Sequence, residues 1–145
     1  MTTKLTFAER SEGLKKVVLM VWKFIMVFAG GGLGCLCRYF VSLIFSTGQT
    51  RFHALPIHTL IANFIGCLCI GVFAAWFAKQ PSELWKLFLV SGFCGGFTTF
   101  STFSAECLEF LHCGNYGMAL IYMGLSLFIC LTATACGMYA MKYIL

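Results

Sequence analysis

The sequence predicts an all-α membrane protein of four transmembrane helices, the third of them broken near mid-membrane. Three observations lead there. The chain is 60% hydrophobic and only 10% charged, with a mean hydropathy of +0.90, whereas ordinary globular domains carry about a quarter charged residues. Its 145 residues hold four apolar stretches, roughly 21–45, 59–77, 84–111 and 117–139, each close to or beyond the ~20 residues a spanning helix needs at ~1.5 Å per residue. The third stretch contains GFCGGFTTFSTFSAE, from Gly92 to Glu106, where hydroxyls and a glycine pair alternate with phenylalanines. A solvated loop would explain the glycines and hydroxyls but not the phenylalanines, and a plain spanning helix the reverse. Irregular backbone at membrane depth is tolerated only where it is buried in protein or lines a polar cavity.

Residues 1–20 read as a polar N-terminal extension, a tail or a surface helix, and residues 21–145 as the four-helix transmembrane domain. The apolar run after Lys15 and Lys16 continues through Arg38 to Phe45 without a small-residue cleavage site, so it is a first span rather than a signal peptide. Gly30 and Gly34 give this span a GxxxG spacing, which lets helices approach closely in lipid. Arg38 lies one turn beyond. A charge at the centre of a span costs about 2.5–3.5 kcal/mol on insertion scales, so Arg38 is either a snorkelling helix-end residue or an attractor of anions into a vestibule. In the first loop His53 and His58 read as interfacial and solvated.

Span two places Thr59 and Asn63 on one face. The Asn63 amide is open to two readings, interhelical glue or a donor pointing at a passing anion. Ser82 is the expected N-cap of span three, which enters through Trp85 and Lys86 and leaves through Glu106 and Glu109; Glu106 is a vestibule carboxylate or a helix-end residue. Span four carries Tyr122, Ser126 and Cys130 at i, i+4 and i+8, a polar stripe that also reads as a packing seam. The nine cysteines form no CxxC pair and read as small buried hydrophobes. Lys4, Arg10, Lys15, Lys16, Lys23, Lys79, Lys86 and Lys142 fall on the side of the termini, with Arg51 alone opposite, which places both termini in the cytoplasm. Topology accounts for the net charge of +5, and no tract suggests a nucleic-acid surface.

A helix broken at mid-membrane bares carbonyls where its first half ends and N–H groups where its second begins. Carbonyls suit a small hard cation and N–H ends an anion. Phe100 and Phe103, at i and i+3, could turn their positive ring edges toward one file. With no lysine or arginine in the middle, the lining suits a small hard anion held by many weak donors.

The chain resembles the CrcB/Fluc family of fluoride channels from about residue 24 to residue 139. The resemblance rests on GGGLGCLCRY in span one, TLIANFIG in span two, GFCGGFTTFSTFSAE in span three and the Tyr122–Ser126 spacing in span four. It implies a dimer of antiparallel subunits in the inner (plasma) membrane, two narrow fluoride pathways, and a structural sodium ion (Na+) at the dimer interface. Carried onto this sequence, it assigns the sodium-binding carbonyls to Gly95 and Thr98 and the fluoride pathway to Asn63, Phe100, Phe103, Tyr122, Ser126 and Thr59, with Arg38 and Glu106 near the pathway ends. Cys130 departs from the family pattern, standing where a hydroxyl often ends the polar track. The one-sided cation bias fits poorly with a single chain inserting both ways, so the partner is either a second copy or an oppositely oriented homologue.

The expected function is passive, fluoride-selective export, which relieves a cell of fluoride accumulated as HF. No nucleophile–base pair or metal cluster points to an enzyme. The alternative of a small multidrug-type proton-coupled antiporter requires a carboxylate in the first span, and residues 21–45 contain none.

Overall fold

In the computed structural model the described residues are 7–45 and 55–144, and all regular structure among them is helical. The order is α1 (Phe7–Phe45), α2 (Ile57–Lys79) and α3 (Glu83–Lys86), then a π-helix (Leu87–Cys94), α4 (Gly95–Phe97), α5 (Phe100–His112) and α6 (Tyr116–Ile144). Four stretches are long and apolar enough to span a membrane: Glu9–Phe45, Ile57–Lys79, Glu83–His112 and Tyr116–Ile144. The four predicted spans and the interruption of the third are therefore present. Arg51 and His53 lie outside the described residues.

The 39 residues of α1 extend about 58 Å at ~1.5 Å per residue, roughly twice the ~30 Å hydrocarbon thickness. Residues Phe7 to Met20, the described part of the expected extension, belong to the same unbroken helix. Ser82 occupies the N-cap of α3 in an extended conformation, but its hydroxyl makes no capping bond; its carbonyl takes the Lys86 N–H at 2.9 Å instead. At this end Lys23 Nζ meets Glu83 Oε1 at 2.6 Å, an exposed pair of the kind that contributes about 0–1 kcal/mol.

Packing is by pairs: α1 lies along the α3–π–α4 arm, and α2 lies along α6, with α5 against α6 as well. Glycines set both pairs. A Cβ on Gly30 would overlap the Phe88 carbonyl, and one on Gly34 the Phe93 carbonyl. A Cβ on Gly71 would overlap the Thr134 carbonyl, and one on Gly137 the Leu68 carbonyl. Backbones approach this closely because lipid supplies no hydrophobic drive between helices, leaving dispersion and packing to hold them.

The link from α5 to α6 is a Schellman turn. Gly114, at φ 74°, donates its N–H to the Leu111 carbonyl at 3.1 Å, and Asn115 donates to the Phe110 carbonyl at 2.9 Å. This turn reverses the chain so that α6 runs back beside α5, bringing Tyr122 to the face that carries Glu106.

Candidate functional site

The third span breaks at two residues, Thr98 (φ −78°, ψ 155°) and Thr99 (φ −146°, ψ 107°), both extended. Asn63, reaching across from α2, holds the break. Its Oδ1 accepts the Thr99 N–H at 2.8 Å, and its Nδ2 donates to the Thr99 carbonyl at 3.2 Å. Thr99 is also the N-cap of α5: its hydroxyl oxygen accepts the Thr102 N–H at 3.2 Å and its hydroxyl donates to Thr102 Oγ1 at 2.8 Å. Upstream, Thr98 returns both its N–H and its hydroxyl to the Cys94 carbonyl, each at 2.9 Å.

These diversions bear directly on the two carbonyls expected to bind sodium. In a continuous α-helix the Thr99 N–H would bond the Gly95 carbonyl and the Thr102 N–H the Thr98 carbonyl. One goes to Asn63 and the other to the Thr99 side chain, so Gly95 and Thr98 both lose their helical donors. Unwound carbonyls of this kind suit a hard monovalent cation, and the exposed position of Gly95 leaves that edge of the helix open. The residues present fit the ion.

A cavity of about 250 Å³ lies beside the break, lined by Asn63, Cys67, Thr98, Phe100, Phe103, Ser126, Leu127 and Cys130. The rings of Phe100 and Phe103 are 5.7 Å apart and tilted by 46°. Ser126, on the same wall, is 6% exposed, and its buried hydroxyl has no partner among the described residues. Cys130 stands on the same wall, in line with Ser126 along α6.

Glu106 sits at the centre of a second cluster. Its Oε1 accepts from the Thr59 hydroxyl at 2.7 Å, and its Oε2 from the Tyr122 hydroxyl at 2.7 Å. Thr59 and Tyr122 are buried, and Tyr122 in turn packs on Phe103 with ring centroids 5.2 Å apart. Glu106 is thus a half-buried hub of three helices rather than a helix-end residue. His58 also belongs to this hub: its Nε2 is 3.4 Å from Glu106 Oε1 and its side chain is only 25% exposed. The reading of His58 as solvated is therefore corrected.

A further cavity, about 220 Å³, is lined by Cys35, Arg38, Tyr39, Ser42, His58, Thr59, Ala62, Thr99 and Thr102. Arg38 gives an Nη2–H to the soft Cys35 sulfur at 3.9 Å, and its Nε is buried with no partner among the described residues. The expected pathway residues therefore fall into three adjoining groups. Asn63, Phe100, Phe103 and Ser126 share one cavity, Arg38 and Thr59 share another, and Glu106 with Tyr122 stands at the Thr59 wall.

Thr99 and Thr102 were missed as capping residues, although a threonine followed by a second hydroxyl three residues on, ahead of an apolar helix, is a recognisable start signal. His58 was missed for want of any local signal, since its partner is 48 positions away in sequence. All nine cysteines are free thiols.

Residues 25–138 match the family described as CrcB-like protein, Camphor Resistance (CrcB). Over 104 residues the chain is 42% identical to a protein of Escherichia coli (strain K12) named fluoride-specific ion channel FluC, covering 70% of this chain and 80% of that one. A protein of the same name from Enterobacter sp. (strain 638) is 45% identical over 103 residues, covering 70% and 79%. Another, from Shigella boydii serotype 18, is 42% identical over 104 residues.

Proposed function

The chain belongs to the CrcB-like family, and from that membership we propose that it is a fluoride-specific channel, a multi-pass protein of the inner membrane that exports fluoride passively. The observation that carries the reading is the break held by Asn63 beside a cavity lined by Phe100, Phe103 and Ser126. An isolated ion in an apolar medium costs tens of kcal/mol by Born estimates. A hydrogen bond to a charged group recovers only about 1.5–3 kcal/mol, so a path must offer several donors in succession. Asn63 keeps one N–H beyond the one spent on Thr99, and Ser126, Thr102 and Arg38 add others along the two cavities.

The working unit is an antiparallel dimer, of two copies of this chain or of this chain with an oppositely oriented homologue. Gly95 and Thr98 of each subunit would hold sodium between the breaks, where it supplies a fixed positive charge. Both cavities are only partly enclosed in the single chain, and Phe100 is 79% exposed, so the pathway needs a second wall.

Fluoride efflux from proteoliposomes without a proton gradient tests the reading. The parent should conduct, and Phe100→Ile and Asn63→Ala should each lower the flux about tenfold or more, the equivalent of one lost donor or ring contact. Undiminished flux in both variants removes the site assignment and leaves the fold intact. A parent that conducts no fluoride removes the function.

A further inference from the structure

A cavity of about 580 Å³ lies between the C-terminal turns of α2 and α6 and shares no residue with the two beside the break. Its volume is that of an ordinary ligand cleft, ~300–1,000 Å³. It exists because the facing strips are short. Gly71 and Gly137 bring the two backbones together, and Ala75, Ala78 and Ala135 do not fill the space left beside them. Lys79, the last residue of α2, and Lys142, in the last turn of α6, line the same cavity. Residues 75 and 79 share one face of α2, and 135, 138 and 142 share one face of α6, so each apolar strip ends in an ammonium group. A lysine at a helix C-terminus is ordinarily explained by the helix dipole or by topology. Neither accounts for two lysines from different helices at one apolar cavity. Among the described residues neither forms an ion pair, and Glu83, which follows the end of α2, is held by Lys23 at 2.6 Å.

We propose that this cavity holds one anionic glycerophospholipid from the leaflet where the chain's termini lie. Its phosphate sits between Lys79 and Lys142, and the start of an acyl chain lies over Ala75, Ala78 and Met138. The proposal needs the four spans but not the channel activity. Charge complementarity names the occupant, since basic pockets between helices at the cytoplasmic membrane surface take anionic headgroups. An acyl chain gains little by leaving the bilayer for the groove, because lipid tails are already as apolar as the protein surface. Selection therefore falls to the charge of the headgroup. Both helices also end here in carbonyls with partial negative charge, so without the lysines a phosphate would meet dipoles of its own sign. Tyr139, on the same wall, is a residue type that settles at headgroup level.

The test is native mass spectrometry of the full chain in detergent, with phosphatidylglycerol, phosphatidylcholine or inorganic phosphate added at equal concentration. A lysine near the surface is worth about fivefold in anionic-lipid affinity. The parent should therefore hold one phosphatidylglycerol per chain about twenty-fivefold more tightly than phosphatidylcholine. Lys79→Gln combined with Lys142→Gln should abolish that preference, and Lys79→Arg with Lys142→Arg should keep it. Lys15→Gln with Lys16→Gln removes the same charge from α1 and should change nothing. Ala78→Phe keeps both lysines but fills the cavity, and should release the lipid. A parent with no preference overturns the proposal. So does a Lys15 and Lys16 variant weakened as much as the Lys79 and Lys142 one, which would mean diffuse attraction to a cationic surface. Full retention by Ala78→Phe would place the lipid elsewhere, and displacement by equimolar inorganic phosphate would make the lysine pair an ion site; either result overturns the lipid assignment. The lysine variants decide by themselves if circular dichroism shows Ala78→Phe unfolded.

Discussion

At the scale of single residues, Asn63 and Glu106 do unlike work with the same tool, a planar group bearing two polar ends. Asn63 pairs with both the N–H and the carbonyl of Thr99, so the sequence alternatives of glue and anion donor are not exclusive: one amide serves the backbone with two of its groups and keeps a third. Asn63→Ala strands both Thr99 groups in a part-buried site. Each unsatisfied group costs about 1–3 kcal/mol, so the variant should unfold at lower temperature and lose flux together, as read by thermal melting in detergent beside efflux. Glu106 instead gathers two hydroxyls. Tyr122→Phe removes one hydrogen bond to a charged group, worth about 1.5–3 kcal/mol, while keeping the ring against Phe103 and Phe110. It should destabilise by that amount, and Glu106→Gln should recover part of the loss in the double variant because a neutral amide suffers less from the missing donor. Additive losses in that cycle would show that the two groups do not act as a unit.

At the scale of elements, the four spans were legible because lipid leaves only one signature, some twenty apolar residues, and composition suffices to read it. The break was legible because hydroxyls and glycines in such a run contradict a plain helix. Its place within the Gly92–Glu106 stretch was less so: Gly95, Gly96 and Phe97 remain helical and the extended residues are Thr98 and Thr99, because what opens the helix is Asn63, 36 positions upstream. The eight-residue π-helix before it had no signal at all. Its i→i+5 bonding is set against α1, where Gly30 and Gly34 admit the Phe88 and Phe93 carbonyls, a long-range fit that no local pattern encodes. The glycines test this. Gly34→Ala puts a methyl into the Phe93 carbonyl and must push α1 off the arm, a cost of about 1–3 kcal/mol for overpacking. Gly32→Ala meets nothing within 4 Å and should match the parent in melting temperature and flux. Equal behaviour of the two variants would mean that α1 does not seat on the arm as described.

At the scale of the whole molecule, one chain leaves the broken span half covered. Gly95 is exposed at the break and Phe100 is exposed on the far side of it, although each belongs to the proposed ion path. The proposed second subunit would cover both, and the glycine allows its presence to be tested apart from the subunit's own folding. Within the chain, a Cβ at Gly95 would find only the Val90 carbonyl, at 3.9 Å, an ordinary contact, and its backbone is α-helical. Gly95→Leu should therefore leave the isolated subunit folded and favour its helix by the ~1 kcal/mol that separates glycine from good helix formers. If two breaks face one another across an axis with an ion between their carbonyls, the same side chain has no room. The parent should then show twice the 16.1 kDa chain mass by light scattering in detergent, while Gly95→Leu should show the single mass, unchanged helicity by circular dichroism and no fluoride flux. Exchanging sodium for a bulky organic cation should act on the parent in the same direction, lowering flux without unfolding the helices. A Gly95→Leu protein that keeps both the double mass and the flux would place the partner on another face, and the cation with it.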